Sequence, residues 1–167
     1  TKTHFTTGDE TVTISGTVSA AEADAIADAT SGAVTATITA GTAQALNLAL
    51  VDATVGQSVV NAYTLTVNDT GSVKATDLTG LDGKTSVDVT VNATVTDITG
   101  SSAEVAAAYA AKTAGTISGL GNETVSITGT DATVANVVAI NNATSGLVTV
   151  GTINVDSLTF DLLSALK

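Results

Sequence analysis

The chain holds one histidine, His4, and no cysteine. A Ser-His-Asp nucleophile would have to draw His4 from a polar N-terminal stretch ahead of the first repeat. Zinc asks for three or four ligands, chiefly His and Cys. The remaining candidates are carboxylates. Asp24 and Asp28 are four residues apart, which puts both on one side of a helix. A glycosidase pair must flank a cleft of fixed width, and nothing around these two builds one; a solvated helix face accounts for them. Asn68-Asp69-Thr70, Asp82 and Asp97 read as turn residues whose side chains cap backbone groups. Calcium, which takes oxygen ligands from several turns, is the one ion they could recruit. Gly119-Leu120-Gly121-Asn122 has the glycine content of a phosphate loop, but such a cradle follows a strand and opens a helix. Here the run precedes a strand beginning at Glu123, so it reads as a turn. Asn68, Asn92, Asn122 and Asn142 each open an Asn-X-Thr triplet, which a chain this rich in threonine produces by chance. We expect no catalytic residue, no resident cofactor, no metal and no small-molecule substrate: a protein that is not an enzyme.

Charge excludes other partners. Five lysines, no arginine and sixteen acids give a net charge of -11. A phosphate-binding surface needs clustered cations, so no nucleic acid is expected, nor a polybasic patch against anionic lipid. No apolar run approaches the length of a membrane span. A first residue of Thr implies a removed leader or an excised segment, and the absence of cysteine suits a reducing compartment or a bacterial surface protein that avoids thiol chemistry. The style of the composition favours export.

The elements that must position these residues come from repetition. Glu10-Thr11-Val12-Thr13-Ile14-Ser15-Gly16-Thr17 returns as Glu123-Thr124-Val125-Ser126-Ile127-Thr128-Gly129-Thr130, and Asp28-Ala29-Thr30-Ser31-Gly32-Ala33-Val34-Thr35 as Asn142-Ala143-Thr144-Ser145-Gly146-Leu147-Val148-Thr149. A weaker copy starts at Tyr63-Thr64-Leu65-Thr66-Val67 and reaches Leu81-Asp82-Gly83-Lys84-Thr85. Alternation of apolar residues with hydroxyls predicts strands at 11–15, 35–39, 64–67, 87–91, 124–128 and 148–150. Helical composition fills the gaps: 19–27 behind a Ser19/Glu22 capping box, 43–50, 101–112 behind Ser101/Glu104 and ended by Gly115, 132–140, and 157–166. Residues 75–81 are a short helix or a turn.

Strand then helix, in steps of about two dozen residues, is the period of a repeat stack. Strands separated by helices lie parallel, with right-handed crossovers. A doubly covered sheet would show continuous apolar strands, whereas these alternate. The predicted fold is therefore α/β: strand–helix units forming a parallel, solenoid-like sheet, with helices on one face and a Thr-rich face opposite. We divide it into an N-terminal extension (1–9), repeat units at 10–61 and 62–122, and a third at 123–167 with a C-terminal helix, in one continuous domain. Aromatics are only 2% of the chain (Phe5, Tyr63, Tyr109 and Phe160), so Ala, Val, Leu and Ile must fill thin layers. The expected inward set is Val12, Ile14, Ile38, Leu65, Val67, Val87, Val89, Val91, Val125 and Ile127, against Ile26, Val105, Val137 and Ile140.

The run Ala103-Glu104-Val105-Ala106-Ala107-Ala108-Tyr109-Ala110, then Gly115-Thr116-Ile117-Ser118-Gly119-Leu120-Gly121-Asn122-Glu123, resembles repeat modules of giant secreted, S-layer-associated surface proteins of cyanobacteria and other marine bacteria. Leu78-Thr79-Gly80-Leu81-Asp82-Gly83-Lys84-Thr85 is similar to another part of that unit. The resemblance implies an extracellular structural role in a surface layer, filament or adhesin. The calcium-binding glycine-rich nonapeptide of such proteins is absent, so calcium is not carried over. Open ends of a repeat stack suit homotypic assembly, with Phe5, Leu158, Phe160, Leu162, Leu163 and Leu166 as contacts; the last helix equally reads as a cap that closes the core. The alternative is a binding face for ice, another surface or a carbohydrate, built from Thr11, Thr13, Thr35, Thr37, Thr64, Thr66, Thr124 and Ser126. Threonine is also simply a good residue for a wet strand face.

Overall fold

The computed structural model of the protein describes residues 9–51 and 60–153. Phe5 and His4 near the N-terminus, and the predicted C-terminal helix with Leu158, Phe160, Leu162, Leu163 and Leu166, lie outside the described residues. The chain order is β1 (Val12–Val18), α1 (Ala20–Ala27), β2 (Val34–Ile38), α2 (Ala43–Ala49), β3 (Ala62–Thr64), β4 (Thr66–Val67), β5 (Gly71–Lys74), α3 (Ala75–Asp82), β6 (Val89–Val91), β7 (Val95–Gly100), α4 (Ser102–Ala114), β8 (Ile117–Ser118), β9 (Thr124–Ile127), α5 (Val134–Ala143) and β10 (Val148–Val150).

Helix starts follow their caps. Ser19 accepts the Glu22 amide while the Glu22 carboxylate accepts the Ser19 amide, and Ser101 and Glu104 do the same. Both carboxyls are held below their usual range, Glu22 chiefly by the Ser19 side chain and Glu104 chiefly by the Ser101 backbone. Gly115 ends α4 with φ of 82°, a left-handed conformation open to glycine.

The fold is α/β with parallel sheets. Among the described residues the sheets run β1-β2-β3, β4-β6-β8 and β10-β9-β7-β5, and every named pair is parallel. Paired strands lie about two dozen residues apart in the chain: Val12 with Val34, Gly71 with Val95, Val125 with Val148. No sheet closes on itself. Each helix packs against the next, α1 on α2 through α4 on α5. One strand–helix step forms a rung.

The core lies between strands and helices. Val34, Ala36, Ile38, Leu65, Val67, Val89, Val91, Ile98, Val125 and Ile127 face Ala23, Leu46, Leu78, Leu81, Val105, Ala108 and Ile140, all buried. Strand residues between them are exposed, as at Thr35 and Thr37 in β2. Val12, Ile14, Ile26 and Val137 are only partly covered.

Several expectations need correction. Val87 is 36% exposed; it belongs to a turn in which the Thr85 hydroxyl accepts its amide, and β6 starts two residues later. Asp97 is in β7, not at a turn, and Asp82 ends α3. Thr11 precedes β1. The expected strand over 64–67 divides at Leu65, because Thr64 pairs back on Thr37 while Thr66 pairs forward on Thr90. Helix α5 begins at Val134 because Thr133 is its cap, accepting the Asn136 amide at 3.3 Å.

Candidate functional site

Three places combine polar side chains with defined geometry: the outward strand side, the joints between rungs, and the outermost strands.

On the outward side, Thr13, Thr35, Thr37, Thr64 and Thr124 are exposed, and Thr66 and Ser126 are half-covered. Parallel register aligns Thr17, Thr37 and Thr64 across three strands, and Thr99, Ser126 and Thr149 across three others. The expected hydroxyl row meets a carboxylate that sequence reasoning had placed elsewhere. Asp97 accepts hydrogen bonds from Thr124 at 2.8 Å, Ser126 at 3.2 Å and Ser72 at 3.3 Å. An acid among three hydroxyls from neighbouring strands ties those strands together, with both carboxylate oxygens accepting. Among the described residues, no group of three or more His, Cys, Asp or Glu gathers to hold a metal ion.

The joints explain the repeated Thr-Ser-Gly. Thr30 donates to the Glu10 carbonyl at 2.7 Å, and Thr144 to the Glu123 carbonyl at 2.8 Å. Each hydroxyl also accepts an amide two residues on, from Gly32 at 3.1 Å and Gly146 at 3.0 Å. Thr85 repeats the arrangement on Tyr63 and Val87. The side chain thus staples one rung to the one before it. At the Thr30 and Thr144 joints, though not at Thr85, glycine is required two places on: a Cβ on Gly32 would lie 2.2 Å from the Glu10 carbonyl oxygen, and one on Gly146 would lie 2.1 Å from that of Glu123. Helix ends are fixed across rungs as well. Asp69 accepts the Ala43 amide at 2.7 Å, Lys84 donates to the Leu50 carbonyl, and Lys112 donates to the Ala143 carbonyl at 3.0 Å.

The glycine-rich turn at 119–122 has a use that spacing did not reveal. Glu123 is 5% exposed. Its carboxylate accepts the Gly121 amide at 2.8 Å, the Asn122 amide at 3.0 Å and the Tyr109 hydroxyl at 2.6 Å. The amides that might have cradled a phosphate are occupied by the chain's own acid. Burial first, then Glu123, pushes the Tyr109 hydroxyl well above its ordinary range. Asp24 and Asp28 do come near one group: with burial as the larger cause, they push Tyr63 up to about 12. Both tyrosines are covered, so neither offers a platform for sugars. The signal that could have found Glu123 is the copy itself, since Gly8-Asp9-Glu10 repeats Gly121-Asn122-Glu123.

The first and last strands, β1 and β10, each have one strand neighbour among the described residues, as do β3, β4, β5 and β8. Beside β10 lie Leu147, 72% exposed, and Ile153, 41% exposed. Among the described residues, no helix is long and apolar enough to cross a membrane.

Comparisons of the chain with protein families, with curated proteins and with solved structures find no match.

Proposed function

We propose that the chain is a non-enzymatic structural repeat module of the cell exterior, a subunit or segment of a bacterial surface layer, filament or adhesin, which assembles through its end rungs. The reading takes the parallel sheets as one solenoid-like wall, with helices behind and hydroxyls in front. One observation carries it: within each of the three sheets, strands from successive strand–helix steps pair in parallel, and the first and last strands in chain order, β1 and β10, each have one strand neighbour among the described residues. An edge presents unpaired amides and carbonyls together with partly covered apolar side chains, which another module of the same kind can continue. The likeness of 103–123 to surface-protein repeats supports the extracellular setting. Sedimentation of the full chain across a concentration series, with electron microscopy of the concentrated state, tests it. Growth in size with concentration is expected; a single monomeric species throughout would remove self-association.

The aligned Thr17, Thr37 and Thr64 favour a second reading, a flat face for ice or another ordered surface. Such rows repeat at the strand spacing of about 4.8 Å. An ice-recrystallisation assay decides: no inhibition at high protein concentration removes it.

A further inference from the structure

The strand β1 and the strand β9 are one sequence written twice, from Gly8 and Gly121 onward. They are also one structure on the side facing the following rung. Val12 donates to the Ala33 carbonyl at 3.0 Å, and Val125 to the Leu147 carbonyl at 2.9 Å. The threonine staples onto Glu10 and Glu123 match, as do the close approaches of Gly32 and Gly146. Gly16 and Gly129 share a left-handed backbone, with φ of 84° and 91°.

On the opposite side the copies part. Strand β9 is covered by β7 and α4. Asp97 accepts from Thr124 and Ser126, the Thr128 amide donates to the Gly100 carbonyl at 2.8 Å, and Tyr109 on α4 donates to Glu123. In the first rung the counterparts of Thr124, Ser126, Thr128 and Glu123 are Thr11, Thr13, Ser15 and Glu10, all exposed. The first rung therefore carries the receiving half of an interface that, among the described residues, the fifth rung (β9–α5) completes with β7–α4 of the fourth.

We infer that the edge of β1 opposite β2, which no other described strand covers, docks one kind of partner: a parallel rung built like β7–α4, supplied by another module of this repeat. It would place a carboxylate between Thr11 and Thr13 and a helix-borne tyrosine hydroxyl on Glu10. The inference rests on the repeat-module reading proposed above and names the rung that its first strand accepts. The other end of the same chain is a poorer match. Strand β10 is the second copy of β2, whose neighbour β3 is preceded by Asn61, accepting the Val34 amide at 2.8 Å. Its outward residue is Thr149, where β7 carries Asp97. The two ends thus call for different rungs, which gives assembly an order as well as a direction.

The test inserts a second copy of residues 89–120 between Thr7 and Gly8 of the full chain. Amide hydrogen exchange of β1 and the helix content by circular dichroism are then compared with the parent. The expected result is added helix content and exchange at Ser15 slowed at least tenfold. The same insertion with Asp97→Ala and Tyr109→Phe in the inserted copy should lose most of that protection. Unchanged exchange in β1, or an inserted rung that gains no helix, overturns the proposal. Equal protection by the substituted copy also overturns it, because the edge would then accept any strand. The concentration series on the parent chain is independent: a monomeric parent whose β1 is protected by the insertion would refute self-association and leave the partner assignment standing.

Discussion

Tyr63 and Tyr109 occupy equivalent predicaments in two regions of the molecule. Each is 3% exposed, and each carries a polar tip into a core of Ala, Val, Leu and Ile. On α4, the Tyr109 hydroxyl has a fixed acceptor, Glu123, at 2.6 Å. In β3, Tyr63 hydrogen-bonds Asn61, and the acids near it act through their charge, Asp24 and Asp28 from the end of the first helix. One joint is locked by a bond to a carboxylate that three donors hold in place. The other is merely bathed in negative potential. A large residue enters this thin core only where its hydroxyl has a destination, and the kind of destination decides how much depends on it.

The largest effect should come from removing the acceptor. Glu123→Leu leaves the Tyr109 hydroxyl and the Gly121 and Asn122 amides without a partner, and should cost about 3–5 kcal/mol in chemical denaturation. Next, Tyr109→Phe should cost about 2 kcal/mol, against about 1 kcal/mol for Tyr63→Phe, because a hydrogen bond to a charged group is worth more than one to an amide. Equal losses would erase the contrast between the two regions. Alkali tests both together. Each tyrosine is harder to deprotonate in the folded chain than at its ordinary value of 10.0. The folded form therefore holds its protons more tightly, and stability is present below pH 10 and lost as pH climbs from there through about 12. Tyrosinate absorbance should appear only as the dichroism disappears; two ordinary titrations near pH 10 with the fold intact would contradict this. Asp24→Asn should make Tyr63 easier to ionise and leave Tyr109 unmoved, read by the same absorbance. Smallest of all, Thr66→Ser on the outward side of β4 should shift the melt by less than about 1 kcal/mol. Damage there comparable to Tyr63→Phe would mean that the outward side is covered.

Much of this arrangement was written locally. Ser19, Ser101, their glutamates and Gly115 acted where a cap acts, since capping is a matter of three or four consecutive residues. Strands with clean alternation, such as Thr35 to Ile38, were readable for the same reason. Failures share a cause. Asp97 looked like a turn residue because an acid in a strand is disfavoured until hydroxyls from two other strands, far off in sequence, converge on it. Val87 fitted the alternating pattern, but the Thr85 hydroxyl captured its amide and made a turn. The strands β5, β7 and β8 exist through pairing with neighbours and carry little alternation of their own. Glu123 and Tyr109 are fourteen residues apart, and only the stacking of rungs brings them together.

The threonine staples have a mechanical consequence. They tie Thr30 to the rung of Glu10, Thr85 to that of Tyr63 and Thr144 to that of Glu123, always across the gap between neighbouring rungs. Tension applied between the two chain ends would load those gaps in series, so the outermost ties would fail while inner ones still hold. Each failure would release one rung of contour, on the order of 80 Å for two dozen residues. A pulled chain of this design yields by peeling in equal lengths, absorbing load as a sacrificial fastener while its remaining rungs stay folded.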